Sequence, residues 1–403
     1  MEYVVETVCP VTAVMILFIY TALTYRCKMA KKDTVNSVLP HTEAKLQFYT
    51  YYLARYLEIL IRASNIDKIN IYDMLCGEGF YSDGKTGSAV WAVNAVWEAQ
   101  ASNKTNKTVN LHLNDLDKQK IIKLKGILQK RNSEEKNFSI SYSTEEAFEL
   151  LDSLCARFIQ QPTAVRNLIF IDPYGYKCIK KESLISAIEN GKTELIVWLP
   201  IEQMYRFRHM TSGDEVEPSY RALKEFVDQF GLDVTSINSE KEFIQSLVPK
   251  LKFNDDLFAT SYAIKNHTGH YYGMFFITPS IKGLEKINEV KWSLDSQQGE
   301  ESDLLQFDFF LESDKQSDLE TQLHRLLAQS ERTNNELYEF VLNLGFLPKH
   351  GNGIFRNWQN DGILQVYDLE KEKTARKGTF KLTYDSYKTG RPQLRFSLME
   401  TNT

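Results

Sequence analysis

Short β-branched apolar runs alternate along this chain with longer stretches whose apolar residues recur at helical spacing. Leu46, Tyr49, Leu53, Tyr56, Leu57 and Leu60 predict a helix over 41–63. Strands are predicted over 66–72, 109–113, 138–142, 168–171 and 194–199. Helices fall between them at 118–131, 147–160 and 182–190, and another opens at 87–93 with Ser88 as its cap. Strand and helix in regular turn require crossover connections. The sheet is therefore mostly parallel and doubly wound, a Rossmann-like α/β arrangement. Residues 204–258 read as a polar helical insertion or lid. Runs at 261–265 and 271–278 flank a turn-rich spacer and predict a closing antiparallel hairpin, with a last core helix at 283–292.

Beyond this core, taken as 40–293, the pattern changes. Residues 294–330 are acidic and weakly apolar, a linker passing into helix. In 331–403, helices at 333–344 and 351–360 precede strand-like runs at 363–367 and 379–383, joined by a charged loop at 370–378. Helices followed by a charged hairpin make either a small winged-helix-like domain or a plain α+β cap. Charge shifts at the same place: 301–345 holds ten acidic and three basic residues, 346–396 ten basic and five acidic. The last segment is the part suited to nucleic acid or an acidic partner.

At 403 residues the chain exceeds one ordinary domain, and its net charge of −5 excludes a uniformly basic surface. Five cysteines (9, 27, 76, 155 and 178) lack metal-ligand spacing and fit free thiols in a reducing cytoplasm. Residues 7–25 carry no charge, long enough to just span a bilayer, and Arg26, Lys28, Lys31 and Lys32 follow. Residues 1–28 are then either an anchor tethering a cytoplasmic body to the membrane's inner face, or lie upstream of a true start at Met29.

Two motifs carry the candidate chemistry. In the first, the apolar strand 69–72 ends in Asp73, with Gly77 and Gly79 in the turn that follows. Glycines let backbone approach a nucleoside where a Cβ would clash. Asp73 can meet the ammonium of a methionine moiety. A nicotinamide cofactor would prefer Gly-x-Gly-x-x-Gly opening directly into a helix, and residues 80–86 intervene here. Asp115 and Asp117 end the second strand. One can accept from both ribose hydroxyls, with Asp117 the better placed, and one can cap the next helix. The second motif is Asp172-Pro173-Tyr174-Gly175, at the end of the fourth strand. Pro173 fixes φ and holds a strained turn. The Asp172 carboxylate and the Pro173 carbonyl can accept from an exocyclic amino group, and Tyr174 can stack on a base. The same four residues also make a plain β-turn. Together the motifs point to an S-adenosylmethionine-dependent methyltransferase core with Asp172, Pro173 and Tyr174 at the reacting atom. His41, His267 and His270 lie outside both motifs, and no metal is assigned.

At these residues the chain resembles the three-Cys-motif partner family, TcmP, of bacteria and phages. The resemblance covers roughly 40–292. It rests on the first helix, on Asp73 to Gly79, Gly87-Ser88 and Asp172 to Gly175, and on Tyr271-Tyr272-Gly273-Met274-Phe275-Phe276 before Lys282. It implies a neighbouring radical-SAM-like three-Cys protein as a partner. The resemblance names a family more firmly than a reaction, and with the motifs it leaves two readings: methyl transfer to a nucleobase amino group in DNA or RNA, or a catalytically silent adaptor that binds nucleic acid or protein. Asp-Pro-Tyr-Gly is more similar to the Asp-Pro-Phe-Gly of tRNA guanine-N2 methyltransferases than to the Asp-Pro-Pro-Tyr of adenine enzymes, and Leu75 stands where a phenylalanine is usual.

Overall fold

The computed structural model describes residues 39–103, 106–129, 137–213, 215–266, 268–295, 301–302 and 312–399. The segment 1–28, Met29 and His267 lie outside them. Among the described residues no helix is long and apolar enough to cross a membrane.

Pro40 sets the first turn of α1 (Pro40–Arg62), where its missing N–H costs nothing. The core then runs β1 (Lys68–Asp73), α2 (Ser88–Ser102), β2 (Thr108–Asn114), α3 (Lys118–Gln129), β3 (Phe138–Ser143), α4 (Ala147–Ile159), β4 (Val165–Ile171), α5 (Lys181–Ile188) and β5 (Thr193–Leu199). It continues with α6 (Ile201–Arg206), α7 (Arg221–Phe230), α8 (Glu240–Leu251), β6 (Phe258–Lys265), β7 (Tyr271–Thr278) and α9 (Ile281–Leu294). The short β8 (Glu301–Ser302) completes a sheet ordered β3-β2-β1-β4-β5-β7-β6-β8. Strands β1 to β5 pair in parallel, while β7 runs antiparallel to both β5 and β6. This is a Rossmann-like, methyltransferase-type order, with the expected hairpin closing it.

Alternate residues along each strand feed opposite faces, because side chains in a pleated strand have period two. Ile69, Ile71, Leu168, Phe170 and Ile196 join α1, α2, α3 and α9 in one cluster. Tyr72, Met74, Ile169, Ile171, Leu195 and Val197 join α4 to α8 in the other. The stretch 204–258 is helical, as expected, but no loose polar lid. Leu223, Phe226, Val227 and Phe230 form a buried stripe at i, i+3, i+4 and i+7 and pack into the second cluster.

The C-terminal part comprises α10 (Glu312–Gln329), β9 (Arg332–Thr333), α11 (Asn334–Asn343), α12 (Pro348–Asn360), β10 (Leu364–Asp368), β11 (Lys373–Thr374), α13 (Tyr384–Tyr387) and β12 (Leu394–Leu398). Its sheet has the order β11-β10-β12-β9, giving a winged-helix arrangement. The second half of the acidic stretch is α10, whose Leu319, Leu323 and Leu327 are buried. One expectation changes: residues 379–383 are not a strand. Lys381 takes φ +50°, which breaks an extended run, and Phe380 and Leu382 fill the core from a loop. The partner of β10 is β12, with Val366 opposite Phe396.

Candidate active site at the carboxyl edge of the sheet

The two motif aspartates lie at the same edge of neighbouring strands. In the β1–β4 ladder Asp73 is opposite Phe170, so Asp172 follows two residues beyond that partner. A row of side-chain hydrogen bonds fixes this register. Ser139 Oγ donates to Asn110 Oδ1 (2.6 Å), Asn110 Nδ2 to Asn70 Oδ1 (2.8 Å), Asn70 Nδ2 to Asn167 Oδ1 (2.9 Å) and Asn167 Nδ2 to Thr193 Oγ1 (3.1 Å). Every step joins residues already opposite in the ladders, so the row crosses β3, β2, β1, β4 and β5.

Asp73 is fully buried. Its carboxylate accepts from Ser88 Oγ (2.6 Å) and from the Leu75 amide (3.4 Å). Burial pushes its pKa up to about 7; the Ser88 hydrogen bond opposes the rise, and the Asp172 and Asp115 charges add to it. Ser88 therefore does not cap α2, which starts after an extended Gly87 with no side-chain cap, but binds the motif aspartate.

The glycines of the turn divide their roles. Gly77 has φ +65° and nothing within 4 Å of where a Cβ would sit. Gly79 has φ +94°, and a Cβ there would meet Leu124 Cδ1 at 2.8 Å and Val90 Cγ2 at 3.3 Å. Gly79 thus lets α2 and α3 close on the turn, while Gly77 leaves open space at the edge. Asp115 is buried beside this turn. Its Oδ2 accepts from the Gly77 amide (3.1 Å) and its Oδ1 from the Asp117 amide (2.9 Å). Asp117 is exposed and accepts from the Gln119 amide (2.8 Å) at the start of α3. The structure thus sets Asp115 at the glycine turn and gives Asp117 the capping role.

Asp172 meets a partner that the motifs did not disclose. Lys45 Nζ of α1 lies 2.5 Å from Asp172 Oδ2, with side-chain exposures of 9% and 24%. The same ammonium sits 5.0 Å from the Trp198 ring centroid. Tyr272 stacks on Trp198 at 4.8 Å, and His41 on Tyr272 at 4.7 Å. Tyr49 stacks on Phe170 at 4.3 Å, and its buried hydroxyl has no hydrogen-bond partner among the described residues. His41, Lys45 and Tyr49 are thus an i, i+4, i+8 stripe of α1 turned to the edge. The one sequence signal for it is a lysine on an otherwise apolar, aromatic helix face. Tyr81, in the turn after Gly79, is raised by burial and then by the Asp172 and Asp73 charges. Its turn is closed by a Phe80–Thr86 bridge and tied to α1 by Lys85 to Glu43 (3.1 Å).

Pro173 is buried. No residue from 172 to 175 has a positive φ, so the turn carries no left-handed backbone strain. Tyr174 is 69% exposed, and its hydroxyl accepts from Lys120 Nζ (2.8 Å), which places it on the outer rim. His270 pairs with Glu240 (2.9 Å). Among the described residues no group of three His, Cys, Asp or Glu forms a metal site. A cavity of about 740 Å³ lies at the opposite end of the sheet beside Arg62, Asp67 and Lys107. There Lys107 Nζ bonds the Ile66 carbonyl and Arg62 Nε bonds Asn103 Oδ1.

Residues 293–370 match the GMT-like wHTH domain family. No curated protein matches the chain. Among solved structures it is similar to the O-methyltransferase TomG from Streptomyces achromogenes, involved in tomaymycin synthesis and in complex with SAM. Identity is 11%, over 64% of this chain and 95% of that one, with a TM-score of 0.32. It is also similar to the O-methyltransferase from Bacillus cereus in complex with SAH (14%, 68% and 92%, TM-score 0.32). A third is the SAH-bound Podospora anserina methyltransferase PaMTH1 (9%, 69% and 99%, TM-score 0.27). At TM-scores this low the likeness carries no argument. The strand order defines the fold: a methyltransferase-like Rossmann core followed by a winged helix-turn-helix domain.

Proposed function

We propose that the chain is an S-adenosylmethionine-dependent methyltransferase of the three-Cys-motif partner family, acting on an exocyclic amino group of a nucleobase in DNA or RNA. One observation carries this reading: a buried carboxylate beside an open glycine turn, next to a second carboxylate on the adjacent parallel strand. Family membership is supported by the motifs Asp73 to Gly79 and Asp172 to Gly175.

The residues fit the cofactor. The space at Gly77 is one that a Cβ would fill, and the buried Tyr49 hydroxyl lacks a partner among the described residues. Asp73 would meet the ammonium, and Asp115 the ribose hydroxyls. When bound, the cofactor supplies an electrophilic methyl group on a sulfonium. Asp172 then does the protein's part of the chemistry. Its Oδ1 accepts an N–H of the acceptor amino group, aligns the nitrogen, and receives the proton that the nitrogen sheds as it is methylated. The basic face of the C-terminal domain would hold the polymer, and a radical-SAM-like three-Cys protein is its expected partner.

The test pairs calorimetry on the full chain with transfer of labelled methyl to mixed DNA, tRNA and rRNA. Asp172→Asn should keep cofactor binding and lose about 100-fold or more in transfer rate, the usual size of a general-base contribution. Failure of the wild type to bind S-adenosylmethionine or S-adenosylhomocysteine at millimolar concentration would sink the reading and leave a silent adaptor. Full transfer activity in Asp172→Asn would remove Asp172 from the chemistry.

A further inference from the structure

We propose that Lys45 and Asp172 form a donor–acceptor pair that selects the methyl acceptor, and that the acceptor presents its amino group beside an unprotonated ring nitrogen, as adenine and cytosine do on their pairing edges. The inference rests on the reading above and narrows its substrate class.

Lys45 is held from two sides. Its Nζ donates to Asp172 Oδ2 at 2.5 Å, and the Trp198 face lies 5.0 Å from the same atom. Trp198 is in turn fixed by the Tyr272–His41 stack. A lysine with a 9% exposed side chain, pinned this way, cannot swing into solvent as a surface lysine does. An ammonium has three N–H donors, and one is spent on Oδ2. Asp172 is 24% exposed, and Oδ2 is the oxygen engaged. The pair therefore offers an N–H and a carboxylate oxygen, Oδ1, side by side.

That pairing changes what the carboxylate can read. A bare aspartate would take two donors at once, and the pairing edge of guanine, N1–H beside N2–H, supplies two. With Oδ2 occupied, the same edge would set an N–H against the ammonium. An amino group next to a ring nitrogen reverses the fit: its N–H meets Oδ1, and the ring nitrogen's lone pair accepts from Lys45. Adenine N6 with N1, and cytosine N4 with N3, have that order. Loss of one hydrogen bond to a charged group costs about 10- to 100-fold in affinity.

Single-stranded oligonucleotides of one base each test this, using full-length protein saturated with S-adenosylhomocysteine. Cytosine or adenine oligomers should bind about 10- to 100-fold more tightly than their 3-deazacytosine or 1-deazaadenine counterparts, which keep the amino group and lose the ring nitrogen. Lys45→Met keeps the stem on Trp198 and should erase the difference while S-adenosylhomocysteine still binds; Lys45→Arg should preserve it. If Lys45→Met does not fold, Lys45→Leu, which likewise has no donor, serves instead. Equal affinities for each pair of oligomers, with the cofactor bound, would overturn this inference alone. So would discrimination that survives in Lys45→Met. No cofactor binding would remove the underlying reading as well.

Discussion

Asp73 carries a carboxyl at full burial, and that burial lifts its pKa to about 7. If the ionised form must meet a cationic ammonium, binding releases a proton below pH 7. Affinity for S-adenosylmethionine should then fall about tenfold per unit as pH drops below 7. Calorimetry from pH 5.5 to 7.5 would show it, and Asp73→Asn should bind weakly at every pH. Glu194 is a second buried carboxyl lifted to about 7 by burial, with hydrogen bonds from Tyr52 and Thr278 opposing the rise. Its folded pKa lies above the unfolded value, so the folded state holds the extra proton between about 4.3 and 7. The stability it contributes is complete below that window and is lost as pH rises through 7. Glu194→Gln should flatten the fall in Tm across pH 4.5–7.5; an unaltered slope would put the dependence elsewhere. The two motif glycines differ in what surrounds them: open space at Gly77, packed side chains at Gly79. Gly79→Ala must displace Leu124 and hold φ +94°, costing about 1–3 kcal/mol of stability. Gly77→Val meets no neighbour but must hold φ +65°, also costing about 1–3 kcal/mol, and it alone should abolish cofactor binding. Urea denaturation beside calorimetry distinguishes the two.

Element by element, what sequence disclosed depended on how local the cause was. The parallel strands were legible because both faces are covered, which leaves near-continuous apolar runs ending at Asp73 and Ile171. The site's two carboxylates followed from those ends. Lys45 did not, because its contact with Asp172 spans 127 positions and no local pattern encodes it. Residues 379–383 misled because Phe380 and Leu382 alternate like a strand while Lys381 adopts φ +50°. Asn70, Asn110 and Asn167 each interrupt an apolar run, and only pairing shows why: they form the row that fixes the register. A one-residue slip would break that row and turn each strand's buried residues to the other face. Asn70→Val should therefore cost more than its small change in volume implies. It leaves amide groups of Asn110 and Asn167 without their partner, about 2–4 kcal/mol in all. A urea midpoint unchanged from wild type would mean the row does not stabilise the sheet.

At the scale of the molecule, the winged domain sits on the core through α9. Asn288 Nδ2 donates to the Leu342 carbonyl (2.9 Å), Trp292 Nε1 to the Gly345 carbonyl (2.9 Å), and Tyr338 bonds Glu285. One apolar cluster runs unbroken from α1 to Phe396. A polymer held by the winged domain would thus be held at a fixed place relative to the core. The exposed basic residues Lys373, Arg376 and Lys377 follow β10 in the wing, while Lys349 and Arg356 lie exposed on α12. Among the described residues none of the three wing residues has a carboxylate partner like that of Lys371, which pairs with Asp368 at 3.4 Å. Counterion release makes log Kd depend on log salt with a slope near 0.9 per phosphate contacted on duplex DNA and near 0.7 on single strands. Replacing Lys373, Arg376 and Lys377 together by Gln should lower that slope by about 2 and weaken binding across all sequences. Surface substitutions of this kind shift stability by about 0.5 kcal/mol or less, so Tm should hold nearly constant. The measurement is a salt titration of Kd for duplex and single-stranded probes, wild type against the triple variant. An unchanged slope would place these charges in water rather than on phosphate, and the polymer would have to be held by the core's own lysines along α3.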